Sequence, residues 1–322
     1  FNCGYYFDSY IHYLKRGIDL PSNTFKNKSS TIDISAYLKA FLLLMKPRVM
    51  SLVIFTCAVG FLTSGHEISL IDATLSIILV AIGAGAAGCL NMWYEADLDA
   101  LMTRTCLRPI PTGKINKNQA LIFGILLSAL SVVGLYFFAN LLSAGLLMVT
   151  ILFYLFVYTI WLKRKTPQNI VIGGAAGALP PVIGWTIATN TISLEPISLF
   201  LIIFFWTPSH FWALSLYKAD DYKKAEIPML PVTEGIEKTK LYIFIYSILM
   251  IPVVIFPYLI EFSGLIYLVP SLMLTFYYNF ICFDLYNYDK NKFILKKAKK
   301  IFGYSISYLF LIFVLFLIDK IV

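Results

Sequence analysis

Charge is scarce in this chain. Asp, Glu, Lys and Arg supply 14% of its 322 residues, where soluble domains carry about 25%, so a water-soluble globular fold is excluded. Alternation of apolar and polar residues with period two is missing as well, which argues against a β-barrel. No linker long enough to mark a second domain interrupts the sequence. Histidine occurs only as His12, His66 and His210, and the five cysteines (Cys3, Cys57, Cys89, Cys106, Cys282) show no metal-ligand spacing. A cysteine-bound metal centre is therefore not expected, and the cysteines read as free thiols. Residues 1–35 contain no continuous apolar h-region, so no secretory signal peptide is expected, and no Arg/Ser-rich stretch speaks for a transit segment.

Apolar residues are abundant instead: 59% of the chain is hydrophobic, and the mean hydropathy is +0.77. Runs long enough to cross about 30 Å of hydrocarbon occur nine times, near residues 40–63, 71–94, 118–138, 141–162, 169–189, 196–216, 239–260, 264–285 and 301–319. The third and fourth are separated by little more than Asn140, which predicts an antiparallel helical hairpin. The sequence thus predicts an all-α polytopic membrane bundle of about nine transmembrane helices. Residues 1–37 form an N-terminal segment on the inside, and 38–322 form a single transmembrane domain.

The net charge of +8 would raise the question of nucleic acid in a soluble protein. Here the basic residues fall in loops between apolar runs, where they orient the chain in a lipid bilayer, and no nucleic-acid partner is expected. With nine spans, 25 of the 26 Lys and Arg lie on one side, leaving only Lys320 on the other. That places the N-terminus inside and the C-terminus outside. The acidic clusters Glu95–Asp99 and Asp220–Asp221 share the inside face, so any chemistry is expected there. A bacterial inner membrane is the expected location, with the mitochondrial inner membrane as the alternative.

Three stretches carry chemistry. In the first, Asn91, Glu95 and Asp99 follow one another at i, i+4 and i+8, which stacks them on one helix face. Acids crowded at a membrane boundary repel unless a cation binds between them, and oxygen ligands of this kind suit Mg²⁺. Asp97 points elsewhere on the helix. Arg104 and Arg108 follow, four apart, with forked donors that match phosphate oxygens. Metal ligands followed by arginines are what a diphosphate–Mg²⁺ site needs; the bland alternative is a solvated helix end satisfied by Arg–Asp pairs.

The second stretch, Thr207 to Tyr222, repeats the pattern of an apolar helix running into acid. Tyr217 and Asp221 share a face, and Lys218 stands three before Asp221. Two acidic helix ends on one side suggest a two-metal clamp on one diphosphate. His210 lies inside a span, where a lone histidine is usually a hydrogen-bonded interior residue. The sharper alternative makes His210, Trp206, Trp212 and Tyr217 the wall of an acceptor pocket. The third stretch, Lys163 to Pro181, holds Lys163 and Arg164 as further diphosphate-binding candidates against a plain topology signal. Its Gly173-Gly174-Ala175-Ala176-Gly177-Ala178 run lets helices pack closely. Lys46-Pro47-Arg48 shares the ambiguity of Lys163.

Taken together, these residues resemble the UbiA superfamily of intramembrane prenyltransferases, and within it the haem branch. The superfamily pattern Asn-x-x-x-Asp-x-x-x-Asp reads here as Asn91, Glu95, Asp99, with Glu95 departing from Asp. Asn91-Met92-Trp93-Tyr94, Met102-Thr103-Arg104-Thr105, Arg108-Pro109-Ile110-Pro111, Thr166-Pro167-Gln168-Asn169, Trp206 to Leu214, and Ile227-Pro228-Met229-Leu230-Pro231 are similar to the haem branch. The resemblance covers residues 40–235. Tyr217 stands where an acid precedes Asp221 in quinone-type members.

The resemblance implies transfer of a farnesyl group from farnesyl diphosphate to a vinyl group of haem B. Asn91, Glu95, Asp99 and Asp221 would hold Mg²⁺, with Arg104, Arg108 and Lys218 on the leaving group and Lys163 and Arg164 as lesser candidates. It further implies a downstream haem A synthase as a candidate partner. A quinone- or chlorophyll-type acceptor and a non-catalytic multi-span transporter are the rival readings.

Overall fold

The computed structural model describes residues 34–288 and 291–322, and every regular element among them is helical. Helices α1 (Ile34–Leu44) and α2 (Pro47–Leu62) meet at a 52° bend. Then come α3 (Leu70–Tyr94), the short α4 (Ala96–Leu101), α5 (Lys117–Phe138) and α6 (Leu141–Leu152), which runs without a break into a π-helix, Phe153–Leu162. The second half holds α7 (Asn169–Ala178), α8 (Pro180–Thr189), α9 (Leu194–Tyr217), α10 (Ala219–Lys224), α11 (Leu230–Thr233), α12 (Gly235–Leu259), α13 (Leu265–Tyr286) and α14 (Asn291–Ile321). Among the described residues eight stretches are long and apolar enough to cross a membrane, and the bent α1–α2 pair makes a ninth. The nine expected runs therefore each fall on a helix. The protein is a multi-pass membrane bundle.

Three departures from the expected rods have local causes. Lys46 sits at the α1–α2 bend with φ 52°, because Pro47 pushes the preceding residue out of the helical region. The run 169–189 breaks at Leu179, ahead of Pro180 and Pro181, into α7 and α8. The inside end of the fourth run widens to π geometry, with Lys163 N bonding Tyr158 O five residues back at 2.9 Å. Helix α1 starts at Ile34, inside the segment assigned to the N-terminus. Residues 1–33, with His12, Cys3 and the first four basic residues, lie outside the described residues, as do Lys290 and the Lys292 side chain. Cys57, Cys89 and Cys282 are free and buried, as expected. Cys106 is disulfide-bonded, contrary to the free-thiol reading, since spacing in sequence does not reveal pairing.

The hairpin at Asn140 forms as predicted. Its side chain accepts from Ser143 N at 2.8 Å, capping α6, and donates to Thr186 O at 2.7 Å, tying the hairpin to α8. Elsewhere small residues replace hydrophobic force as the packing device, since lipid is as apolar as the helices. Gly60 of α2 lies against the Pro181 carbonyl, and Gly184 of α8 against the Cys57 carbonyl, so neither position has room for a Cβ. Gly173 of α7 lies under the Tyr158 ring and Gly174 against the Thr207 methyl. The Gly-rich run is thus packing surface, as read. Large apolar side chains such as Ile122, Leu126, Phe137, Met273 and Phe280 point outward to where lipid would lie.

The core falls into two main clusters. One gathers α9, α12, α13 and α14 around Tyr267, Tyr278, Tyr308 and Phe313; the other gathers α2, α3, α6, the π-helix and α8. A Gly184→Ala change should push α2 and α8 apart and lower the thermal unfolding midpoint in detergent, at a cost of about 1–3 kcal/mol. Gly177→Ala, where a Cβ meets nothing within 4 Å, should leave it unchanged; fluorescence-detected size exclusion after heating separates the two.

Candidate active site

Helix α3 ends at Tyr94, yet the acidic face continues past it. Glu95 sits at the α3–α4 junction with φ −91° and ψ 12°. Helical hydrogen bonding carries through, from Glu95 N to Asn91 O at 3.0 Å and from Asp99 N to Glu95 O at 2.8 Å. Asn91, Glu95 and Asp99 therefore stay on one face, and each is 2% exposed. Asp97 turns outward, as its spacing predicted, and its carboxylate pairs with Arg164 at 3.1 Å.

Each inward oxygen donor has its own cation. Lys46 Nζ donates to Asn91 Oδ1 at 2.6 Å, and Asn91 Nδ2 donates to Thr159 Oγ1 at 3.1 Å. Lys163 Nζ donates to Glu95 Oε2 at 2.6 Å; it also lies 2.5 Å from Oε1, which has no hydrogen-bond partner. The two contacts describe one ammonium astride the carboxylate, aligned for a bond to Oε2 alone. Arg108 Nη1 reaches both Asp99 oxygens, at 2.8 and 2.7 Å. The π-helix is what delivers Lys163. At more than four residues per turn, Tyr154, Tyr158, Thr159 and Lys163 share one face. The stacked Tyr154 and Tyr158 rings stand 5.3 Å apart, and Lys163 Nζ lies 5.7 Å from the Tyr158 ring.

Asp221, at the start of α10, is also buried. The Thr103 hydroxyl lies 2.9 and 2.7 Å from its two oxygens and donates to them, and Lys218 Nζ stands 3.7 Å away. The loop after α4 thus joins the two acidic ends: Thr103 holds Asp221, Thr105 Oγ1 donates to Asp99 O at 2.9 Å, and Arg108 holds Asp99. Arg104 stands over the Tyr222 ring at 5.5 Å. No ion pair engages Arg104 among the described residues. Arg164 is not brought into the cluster; its guanidinium is spent on Asp97 and on the Tyr94 ring, 5.1 Å away.

His210 lies between two rings, Trp206 at 4.2 Å and Phe302 of α14 at 4.6 Å. Its Nδ1 is 2.6 Å from Ser305 Oγ, which also lies 2.8 Å from Phe302 O. Trp206 Nε1 donates to Ser305 O at 2.9 Å, and Tyr217 meets Phe302 edge-on at 5.9 Å. Trp206, His210 and Tyr217 share a face through i, i+4 and i+11 spacing. Trp212 does not join them: two residues past His210 it points to the opposite side, onto Tyr242 and Tyr246 of α12 at 5.8 and 5.3 Å. The expected four-residue acceptor wall loses Trp212 for that reason.

Residues 52–315 match the UbiA prenyltransferase family. The chain belongs to that family. A relative from Pelagibacter ubique named protoheme IX farnesyltransferase is 76% identical over 86% of this chain and 92% of its own. Another of that name, from Parvibaculum lavamentivorans, is 49% identical over 87% of this chain and 88% of its own. Among solved structures, a digeranylgeranylglyceryl phosphate synthase superposes with a TM-score of 0.73 at 19% identity, covering 88% of this chain and 98% of that one. A UbiA homologue from Archaeoglobus fulgidus bound to DMAPP and Mg²⁺ gives 0.63 at 21% identity, covering 85% and 98%. At such identities the structural likeness speaks for the fold alone.

Within this UbiA-family site, Thr103, Thr159 and Ser305 had no assigned role in the sequence. Their signal is weak, since a hydroxyl's role depends on what faces it across the bundle. Lys46 carried a signal, a basic pair inside an apolar boundary, and the bend aims it at Asn91. The buried Glu95–Lys163 pair makes a sharp prediction. Lys163→Met strands a buried carboxylate and should lower stability by about 3–5 kcal/mol. The double change Lys163→Met, Glu95→Gln should recover most of it, and a thermal-melt double-mutant cycle reads the coupling.

Proposed function

We propose that this chain transfers a farnesyl group from farnesyl diphosphate to a vinyl group of haem B, giving haem O and diphosphate. The observation that carries the prenyl-transfer chemistry is the pairing at one end of the bundle. Four buried oxygen donors, Asn91, Glu95, Asp99 and Asp221, each face a cation of the kind that binds phosphate. The farnesyl donor and the haem acceptor rest on the names of the relatives and on the pocket around His210.

The donor set is tested for a divalent ion by its chemistry. All four ligands are hard oxygens on buried residues. No group of three acids or histidines converges among the described residues. That suits Mg²⁺, which takes one or two carboxylates and completes its shell with substrate phosphates and water. When bound, such an ion neutralises charge building on the diphosphate as its bond to farnesyl breaks.

The remaining steps belong to side chains. Arg108, Lys218, Lys163 and Arg104 stabilise the departing diphosphate, which leaves with the electron pair of the C–O bond. The allylic cation so formed lies against Tyr154 and Tyr158, whose faces stabilise positive charge. The vinyl group attacks it, and water adds to the resulting carbocation and loses a proton to give the hydroxyethyl product. The stacked rings of Trp206, His210 and Phe302 form an apolar aromatic support for the macrocycle. The active end faces the cytoplasm of a bacterial inner membrane, following the basic loops, and the product passes to haem A synthesis.

Asp99→Ala should abolish the reaction while leaving the protein folded and inserted. Membranes bearing the wild type and the variant are extracted, and their haem is analysed by mass for a farnesyl addition. Normal haem O from the variant would sink the metal-site assignment; prenylated phenols from the wild type would replace the acceptor.

A further inference from the structure

The acidic and basic residues of this site neutralise one another. Glu95, Asp99 and Asp221 are matched by Lys163, Arg108 and Lys218, three carboxylates against three cations. Lys46, on the neutral Asn91 amide, and Arg104, over the Tyr222 ring, are the cations left over. The same atoms that would hold a metal are thus held by the atoms that would hold a diphosphate.

A dication entering alone must take Glu95 and Asp99 from their partners. That strands a mostly buried lysine and a half-buried arginine against an incoming positive charge. A diphosphate entering alone must take Lys163 and Arg108, leaving two carboxylates, each 2% exposed, beside an incoming negative charge. Uncompensated charge in so dry a site is strongly unfavourable in either case. Entering together, the ion takes the carboxylates and the diphosphate takes the cations, so every charge exchanges one partner for another. Starting from three neutral pairs, a dication and a trianionic diphosphate ester leave one excess negative charge, which faces the unpaired cations Lys46 and Arg104.

We infer that the divalent ion and the diphosphate enter this site only as a pair, each releasing the counter-ions that the other needs. This rests on the prenyl-transfer reading of the site. The consequence is a coupling free energy between two ligands, reciprocal by linkage. It also protects the site. Free Mg²⁺ finds no open set of carboxylates, which become available only with a diphosphate to take their cations.

Equilibrium dialysis of the full chain in detergent tests this, with Mn²⁺ and inorganic diphosphate as probes; free Mn²⁺ and its diphosphate complex are then equal on both sides of the membrane. Wild type should bind Mn²⁺ about tenfold or more tightly with diphosphate than without it. Lys163→Gln and Arg108→Gln should shift affinity in opposite directions, binding Mn²⁺ alone more tightly than wild type and the Mn²⁺–diphosphate pair more weakly. A plain ligand role for Lys163 would weaken the pair and leave Mn²⁺ alone unchanged. Wild type that binds Mn²⁺ equally with and without diphosphate overturns the exchange, even if neither variant folds. Wild-type membranes assayed for prenyl transfer keep the two ideas apart: farnesylated haem with uncoupled Mn²⁺ binding removes the exchange and spares the function, whereas coupled binding without any prenylated product does the reverse.

Discussion

The site depends on charge compensation in a place with little water. Three carboxylates and an amide sit within one end of an apolar bundle, and each is stable there because a cation or hydroxyl from another element reaches it. Those cations come from far apart in sequence: Lys46 from the first bend, Arg108 from the loop after α4, Lys163 from the π-helix and Lys218 from the end of α9. The ion pairs therefore also act as cross-links, fixing these ends of the helices relative to one another.

Irregular backbone does the aiming. Lys46 reaches Asn91 from a left-handed residue ahead of Pro47. Lys163 reaches Glu95 because the preceding segment widens to π geometry. Glu95 itself caps α3 and begins α4 without breaking the run of hydrogen bonds. Irregular backbone at membrane depth is tolerated where it is buried in protein or lines a cavity. The glycines of α7 have the complementary task. By letting Tyr158 and Thr207 come close, they seat α7 against both the π-helix and α9, on which His210 stands.

Much of this was legible in the residues. The nine apolar runs locate the nine spans because hydrocarbon thickness sets a minimum length that few other structures need. The i, i+4, i+8 spacing correctly put Asn91, Glu95 and Asp99 on one face and Asp97 on another, since helical geometry survives the α3–α4 junction. The Trp212 expectation failed on the same geometry, because nearness in sequence was taken for nearness on the helix surface. Thr103, Thr159 and Ser305 were invisible. A hydroxyl has no pattern of its own, and its task is set by the group opposite.

By itself the sequence determined the membrane, the apolar runs that become its helices, the one-face spacing of the acidic residues and the family to which the chain belongs. Each follows from composition, run length or local spacing, which are properties of neighbouring residues. The tertiary structure alone decided which cation meets which acid, that Arg164 is spent outside the cluster, and that the loop carrying Thr103, Thr105 and Arg108 joins the two acidic ends. Such pairings link residues up to 118 positions apart; they depend on helix packing and bends, neither of which leaves a periodic trace in the chain.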